Sequence, residues 1–280
     1  MYLLIRPLGS TAFRWGGVSS ILLSGSISTG FFEPLPLPST IYGLLKYAYI
    51  VNGLGQEPPR FRGPVLYAEG GGKTAVCVSL YPQSLYCNVD GEARVVKIEE
   101  DMYERRIGVA LNRVSKTVKE GYIYMEKMLD LHSLASALLE GEPKKYGVLV
   151  EVEDKEKIKK LDGFVAPFGG ESRPAVITVE DNVTWKKVGK KLLASPAIID
   201  DGDEKQVTWR DGQSDKKSVE LETVEGTDND KVTYRLISLG FEGNKRFPMV
   251  LALMPTVEIK GNYDAIGKYT DRGWGSVVVL

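Results

Sequence analysis

An α+β fold built of two sheet-and-helix units is what this sequence predicts, and three observations predict it. Strand-like apolar segments dominate, some alternating with period two and some continuous. Glycine-rich or polar turns join several of them into hairpins. Helical patterns are few, short and interspersed among the strands. The 280 residues are 43% hydrophobic and 26% charged, enough apolar material for a real core and too much for a disordered chain. The expected division places an N-terminal unit with hairpin insertions over 1–135. A C-terminal unit with an acidic insertion at 200–230 covers 136–280.

In chain order, Tyr2–Arg6 is a β-rich run ended by Pro7. Residues 8–38 are rich in Gly, Ser and Pro, a long loop with room for one small hairpin, and loops of that length are more often functional than idle. Prolines forbid helix as far as Ser39, which is expected to cap a helix whose face carries Ile41, Leu44, Leu45 and Ala48. Residues 64–81 read as a hairpin turning at Gly70-Gly71-Gly72. Residues 105–113 alternate, and so do 121–125, which makes a second hairpin, followed by a short helix over 130–140. Further strands are expected at 146–153, 174–180, 232–241, 249–259 and 276–280, with helices at 155–161 and 184–194.

Much familiar chemistry lacks its players. His132 is the sole histidine and has no acidic or thiol residues at ligand spacing, which disfavours zinc sites and histidine-assisted catalysis. Cys77 and Cys87 are too few for a disulfide framework and read as buried apolar residues. Glu69-Gly-Gly-Gly-Lys-Thr74 has the look of a phosphate loop, but Tyr67 stands where the first glycine must be and a strand follows. The acidic run from Asp200 lacks a complete calcium-loop pattern. No cofactor or metal is called for. No apolar stretch approaches ~20 residues, so no membrane partner is expected and the chain reads as cytoplasmic. Only seven Asn and four Gln occur, a composition that hints at a thermophile.

Charge permits an RNA partner without requiring one. The net charge is -1, yet residues 200–230 hold 11 Asp/Glu against 4 Lys/Arg, which leaves a mildly basic body. Four elements offer binding chemistry. The helix start at Ser39 presents backbone N–H groups, although capping alone explains a serine there. The second hairpin mixes Arg105, Arg106, Arg113, Lys116 and Lys119 with Tyr122 and Tyr124, cations and rings together, as single-stranded RNA requires. A hairpin with one wet face would look the same. Gly169, Gly170 and Arg173 form a loop that allows close backbone approach. Arg272, Gly273 and Trp274 precede the last strand, the indole being either a stacking platform or a loop anchor on the core.

The order of these elements resembles a known family. A first strand at residue 2 precedes Pro36-Leu-Pro-Ser-Thr-Ile-Tyr-Gly-Leu-Leu-Lys46. Arg106-Ile-Gly108, Asn112-Arg113 and Gly121-Tyr-Ile-Tyr124 follow, then Gly169-Gly-Glu-Ser-Arg173 and Gly273-Trp-Gly275. This set, over nearly the full length, is similar to the third subunits of the Cmr module, the type III-B CRISPR effector complex, within the RAMP superfamily. The resemblance implies two ferredoxin-like (RRM-like) units. It also implies a noncatalytic subunit that holds the repeat-derived 5′ tag of the guide RNA, docks the large polymerase/cyclase-like subunit and caps the backbone RAMP subunit. Relatives that cut guide precursors commonly use a histidine, and this chain has none in a comparable setting. A guide-processing ribonuclease using Tyr or Lys, and an adaptor touching only protein, stand as the alternatives.

Overall fold

The computed structural model describes residues 1–16, 31–111, 118–169, 173–199, 221–224, 232–238, 241–242, 245–246 and 249–280; for 16, 31, 107–111, 118–126, 238, 241–242, 245–246 and 249 it describes backbone only. In chain order the strands of the first part are β1 (Tyr2–Pro7), β2 (Phe13–Gly16), β3 (Phe31–Glu33), β4 (Phe61–Gly70), β5 (Lys73–Leu80), β6 (Ser84–Val89), β7 (Glu92–Lys97), β8 (Tyr103–Leu111) and β9 (Val118–Leu129). β10 (Lys145–Val152), β11 (Val165–Phe168) and β12 (Arg173–Glu180) follow, and the helices are α1 (Pro38–Val51), α2 (Leu131–Leu139) and the single turn α3 (Lys155–Ile158).

Eight of these strands form one sheet in the order β11-β12-β1-β10-β4-β5-β6-β7, every neighbouring pair antiparallel. Two β-α-β connections, β1-α1-β4 and β10-α3-β12, supply its adjacent strands β12-β1-β10-β4. β10 and β12 lie beyond residue 136 in sequence and share this sheet with β1.

Both faces of the sheet are covered, which explains why its strands read as continuous apolar runs. On one face Leu3, Ile5, Leu66, Cys77, Val148 and Val150 pack against Ile41, Leu44, Leu45 and Ala48 of α1 and Leu131, Leu134 and Leu138 of α2. Side chains one residue out of phase, Leu4, Val65, Tyr67, Val76, Val78 and Leu149, point to the other face. There they meet Val183, Trp185, Val188, Leu192, Ala194 and Leu280.

That second layer corrects the helix expected at 184–194. Residues 182–190 are extended coil, and only Lys191–Leu193 is regular, as the strand β13. Val183 and Trp185 are spaced by two, so an extended chain lays both on the sheet where a helix would turn one away. Trp185 Nε1 donates to the Val279 carbonyl at 3.2 Å, and Val188 and Gly189 N–H both donate to Leu280 O at 2.8 Å. Tertiary pairing has overridden local propensity.

The remaining strands are β14 (Ala197–Ile198), β15 (Leu221–Thr223), β16 (Tyr234–Ser238), β17 (Phe241–Glu242), β18 (Lys245–Arg246), β19 (Met249–Leu253), β20 (Val257–Ile259) and β21 (Val277–Val279). They build a four-stranded sheet β15-β20-β13-β21, a three-stranded sheet β14-β19-β16 and the ribbon β17-β18. The run expected as one strand over 249–259 is broken at Met254-Pro255-Thr256, since proline cannot donate to a ladder.

The hairpins stand where the sequence places them. β4 and β5 turn at Gly71 and Gly72, both with positive φ, so the Gly-Gly-Lys run is a hairpin turn and not a phosphate loop. β8 pairs with β9 from Tyr103↔Leu129 up to Leu111↔Val118. Cys77 and Cys87 are fully buried as expected, and they are also joined by a disulfide between directly opposed residues of β5 and β6. Among the described residues no helix is long and apolar enough to cross a membrane.

Candidate nucleic-acid interface

The base of the β8–β9 hairpin and the turn between β11 and β12 come together, and the segment 8–16 joins them. Leu8 N–H donates to Pro174 O at 2.9 Å, which holds the segment to the start of β12. Thr11 and Leu129 exchange backbone hydrogen bonds at 2.9 and 2.7 Å, which fixes the foot of the hairpin beside it. Phe13 then stacks edge-on against Phe168, ring centroids 5.3 Å apart.

Gly169 closes this corner. Its φ is +72°, and a Cβ there would lie 2.9 Å from Phe13 Cε1 and 3.3 Å from Ala12 O. Both the left-handed backbone and the contact exclude larger residues. Gly170 lies outside the described residues.

The charged side chains at this corner are unevenly satisfied. Arg106 grips Glu104 with two bonds, Nε to Oε1 at 2.9 Å and Nη2 to Oε2 at 3.0 Å, and Ser10 Oγ donates to Glu104 Oε2 at 2.6 Å. The Glu104 carboxyl is held below the usual carboxylate range, chiefly by the Arg106 hydrogen bond and then by that of Ser10. The charges of Arg106 and Arg173 add to the effect. Arg173 itself has no carboxylate partner among the described residues. Its Nε is buried with no acceptor, and among those residues Nη2 meets only the Met128 thioether, at 4.0 Å. A guanidinium so placed forfeits the charge-assisted bonds that normally offset its desolvation.

On the other side of the hairpin foot, Arg105 donates to Glu100 Oε2 at 3.1 Å, and Lys127, its cross-strand partner, bonds Glu100 Oε1. Lys119, Tyr122 and Tyr124 lie on β9, with side chains outside the described residues, and Arg113 and Lys116 lie outside them altogether.

The other two expected elements form a separate group that corrects the sequence reading. Ser39 does not cap α1: the helix begins at Pro38, Leu37 is the N-cap, and no side chain closes it. Proline is favoured at the first helical position because its ring presets φ and it has no N–H to leave unpaired. Trp274 is no platform, since it is 2% exposed and packs with Trp15, Leu37, Tyr81, Ile198 and Met254. Gly273 is buried too, its carbonyl accepting from Ser195 Oγ at 2.7 Å and Ser276 Oγ at 2.8 Å. At Gly275, φ is +64° and a Cβ would fall 1.7 Å from Ile266 O. The Gly-Trp-Gly loop is therefore an anchor. Only Arg272 faces outward, its guanidinium 4.9 Å from the Tyr42 ring centroid. Lys46 sits 5.8 Å from the same ring and reaches Glu57 at 3.2 Å.

Ser10, Glu104, Met128 and Tyr42 belong to these two groups and do not stand out in the sequence. Only the Tyr42/Lys46 pair, spaced i,i+4 on a helix, carries a readable signal.

Against this geometry the relatives are informative. The sequence pattern of the family described as CRISPR-associated protein (Cas_Cmr3) matches residues 83–225, just over half of the chain and inclusive of the hairpin and the Gly169–Arg173 turn. The chain belongs to the Cmr3 family. The CRISPR system CMR subunit Cmr3 of Saccharolobus solfataricus (strain ATCC 35092 / DSM 1617 / JCM 11322 / P2) is 25% identical over 230 residues, 71% of this chain and 70% of that one. A chain in the cryo-EM structure of the type III-B Cmr-beta bound to cognate target RNA shares the fold. Its TM-score is 0.62 at 19% identity, with 100% of this chain and 96% of that one covered. A second such structure, bound to cognate target RNA and AMPPnP, gives a TM-score of 0.56 at 19% identity, covering 92% and 86%. For this Cmr3-family chain, sequence pattern and fold thus agree.

Proposed function

We propose that this chain is a noncatalytic subunit of a type III-B Cmr effector complex, which holds the 5′ tag of the guide RNA and docks the large subunit on the backbone. The observation that carries the RNA part is the convergence of Ser10, Arg106, Gly169 and Arg173 from three separate segments, with one guanidinium left without a carboxylate among the described residues. Backbone amides and guanidinium groups together suit the phosphates of a single strand, which fix register without reading sequence. The β8–β9 hairpin, whose sequence carries further cations and tyrosines, is proposed to continue the RNA contact.

Docking is supported by an apolar face on α1 and the start of β11. Tyr47, Ile50 and Val51 of α1 and Val165 of the edge strand β11 are each about half exposed, and Tyr47 lies against Phe164. Contiguous exposed apolar surface of this kind is what a partner subunit covers. β11 is also a sheet edge, with Pro167 blunting it against strand addition.

The test of the RNA assignment is a tag-RNA titration of the assembled complex over a range of salt. Arg106→Ala with Arg113→Ala should weaken binding and lower the salt slope by ~0.7 for each phosphate that is no longer neutralised. Unchanged affinity with an unchanged slope removes the hairpin from the RNA site.

A further inference from the structure

We infer that the corner formed by Ser10, Arg106 and Arg173 is a phosphate subsite whose resting occupant is the Glu104 carboxylate, displaced when the ligand phosphate enters. That this phosphate belongs to the guide strand rests on the function proposed above.

Glu104 makes the contacts a bound oxyanion would make. One carboxylate receives two guanidinium bonds from Arg106 and a hydroxyl bond from Ser10, and it feels the charge of Arg173. This fork-on-fork geometry is the one guanidinium groups offer to phosphate as readily as to carboxylate. Arg173 is incompletely satisfied by that occupant. Its buried Nε has no acceptor among the described residues and its Nη2 meets only a thioether sulfur there. A phosphate carries more oxygen acceptors than a carboxylate, so it has acceptors to spare for Arg173, whose charge already reaches Glu104.

Glu104 is also free to leave. Its side chain is 46% exposed, and it stands two residues from Arg106 on the same face of β8, so a change of rotamer carries it into solvent without backbone movement. The Glu100 cluster on the other side of the hairpin foot supplies a natural control. Glu100 is likewise shared by two cations, Arg105 and Lys127, and neither of these lacks a partner.

The experiment uses the full chain and two probes, inorganic pyrophosphate followed by calorimetry and a 5′-tag RNA followed by anisotropy, both at low salt. Glu104→Gln keeps the shape and removes the competing charge. It should tighten both probes about two- to fivefold, the range expected for relief of one exposed ion pair. Glu100→Gln makes the same change in net charge and should give less than half that gain. In an Arg106→Gln/Arg173→Gln background the Glu104→Gln gain should vanish.

Weaker binding in Glu104→Gln would show that Glu104 positions Arg106 for the ligand, and it would overturn the inference. So would equal gains from Glu100→Gln, or a gain that survives loss of both arginines. Tighter pyrophosphate binding without RNA binding by any variant would support the subsite and sink the guide-RNA assignment.

Discussion

Glu33 is the described carboxylate held furthest from water, and it dictates a pH dependence. It is 3% exposed on β3, one oxygen accepting from Gln83 N–H at 2.9 Å and the other without a partner among the described residues. Burial pushes its pKa up to about 8, against which the Gln83 N–H pulls only partly. Its charge is felt by Tyr81 and Tyr103, and Arg235 lies over the Tyr81 ring. With a folded pKa above the unfolded value, Glu33 costs nothing electrostatically below about pH 4.5 and destabilises increasingly as pH rises through 8. The full effect is ~5 kcal/mol at most. Glu33→Gln should therefore match the wild type in thermal stability near pH 4 and exceed it at pH 8.5. Equal pH profiles for the two proteins would show that Glu33 ionises without penalty.

Elements reveal what sequence made legible. The Gly71-Gly72 hairpin, the alternating β8–β9 pair and α2 follow from period and turn chemistry, which are local properties. The strand β13 and its preceding coil do not, because Lys186, Lys187, Lys190 and Lys191 look helical until the sheet face that Val183 and Trp185 cover is known. The same holds for Trp274: a tryptophan between glycines reads alike whether it stacks on a ligand or fills a core. Its burial among Trp15, Leu37 and Tyr81 chooses the second. Trp274→Ala should then cost ~3–5 kcal/mol in denaturant unfolding, as deletion of a buried aromatic does. A loss of RNA affinity with stability intact would return the indole to the binding surface. The proposed binding corner is half legible. Arg106, Gly169 and Arg173 stand out by type, whereas Ser10 and Glu104 enter only through hydrogen bonds with residues 94 and two positions away.

At the scale of the molecule, the two proposed surfaces are separable. The charged corner lies at the β8–β9 foot and the turn before β12, and the apolar face lies on α1 and the start of β11. Tyr47→Glu with Ile50→Glu should abolish co-purification with the large subunit while tag-RNA binding by the chain persists. Joint loss of both would mean that one surface serves both partners. The eight-stranded sheet, packed on both faces, gives the two surfaces a common rigid support. The chain belongs to the Cmr3 family, and the corner at Arg106 and Arg173 is where it is proposed to touch the guide.

Ultraviolet crosslinking of the assembled complex on its guide RNA, read by mass spectrometry, tests that claim most directly. The account predicts adducts on peptides from the segment 8–14, the β8–β9 hairpin and the 168–173 turn, and none on Trp274. Adducts confined to other subunits, or to other faces of this chain, would contradict it.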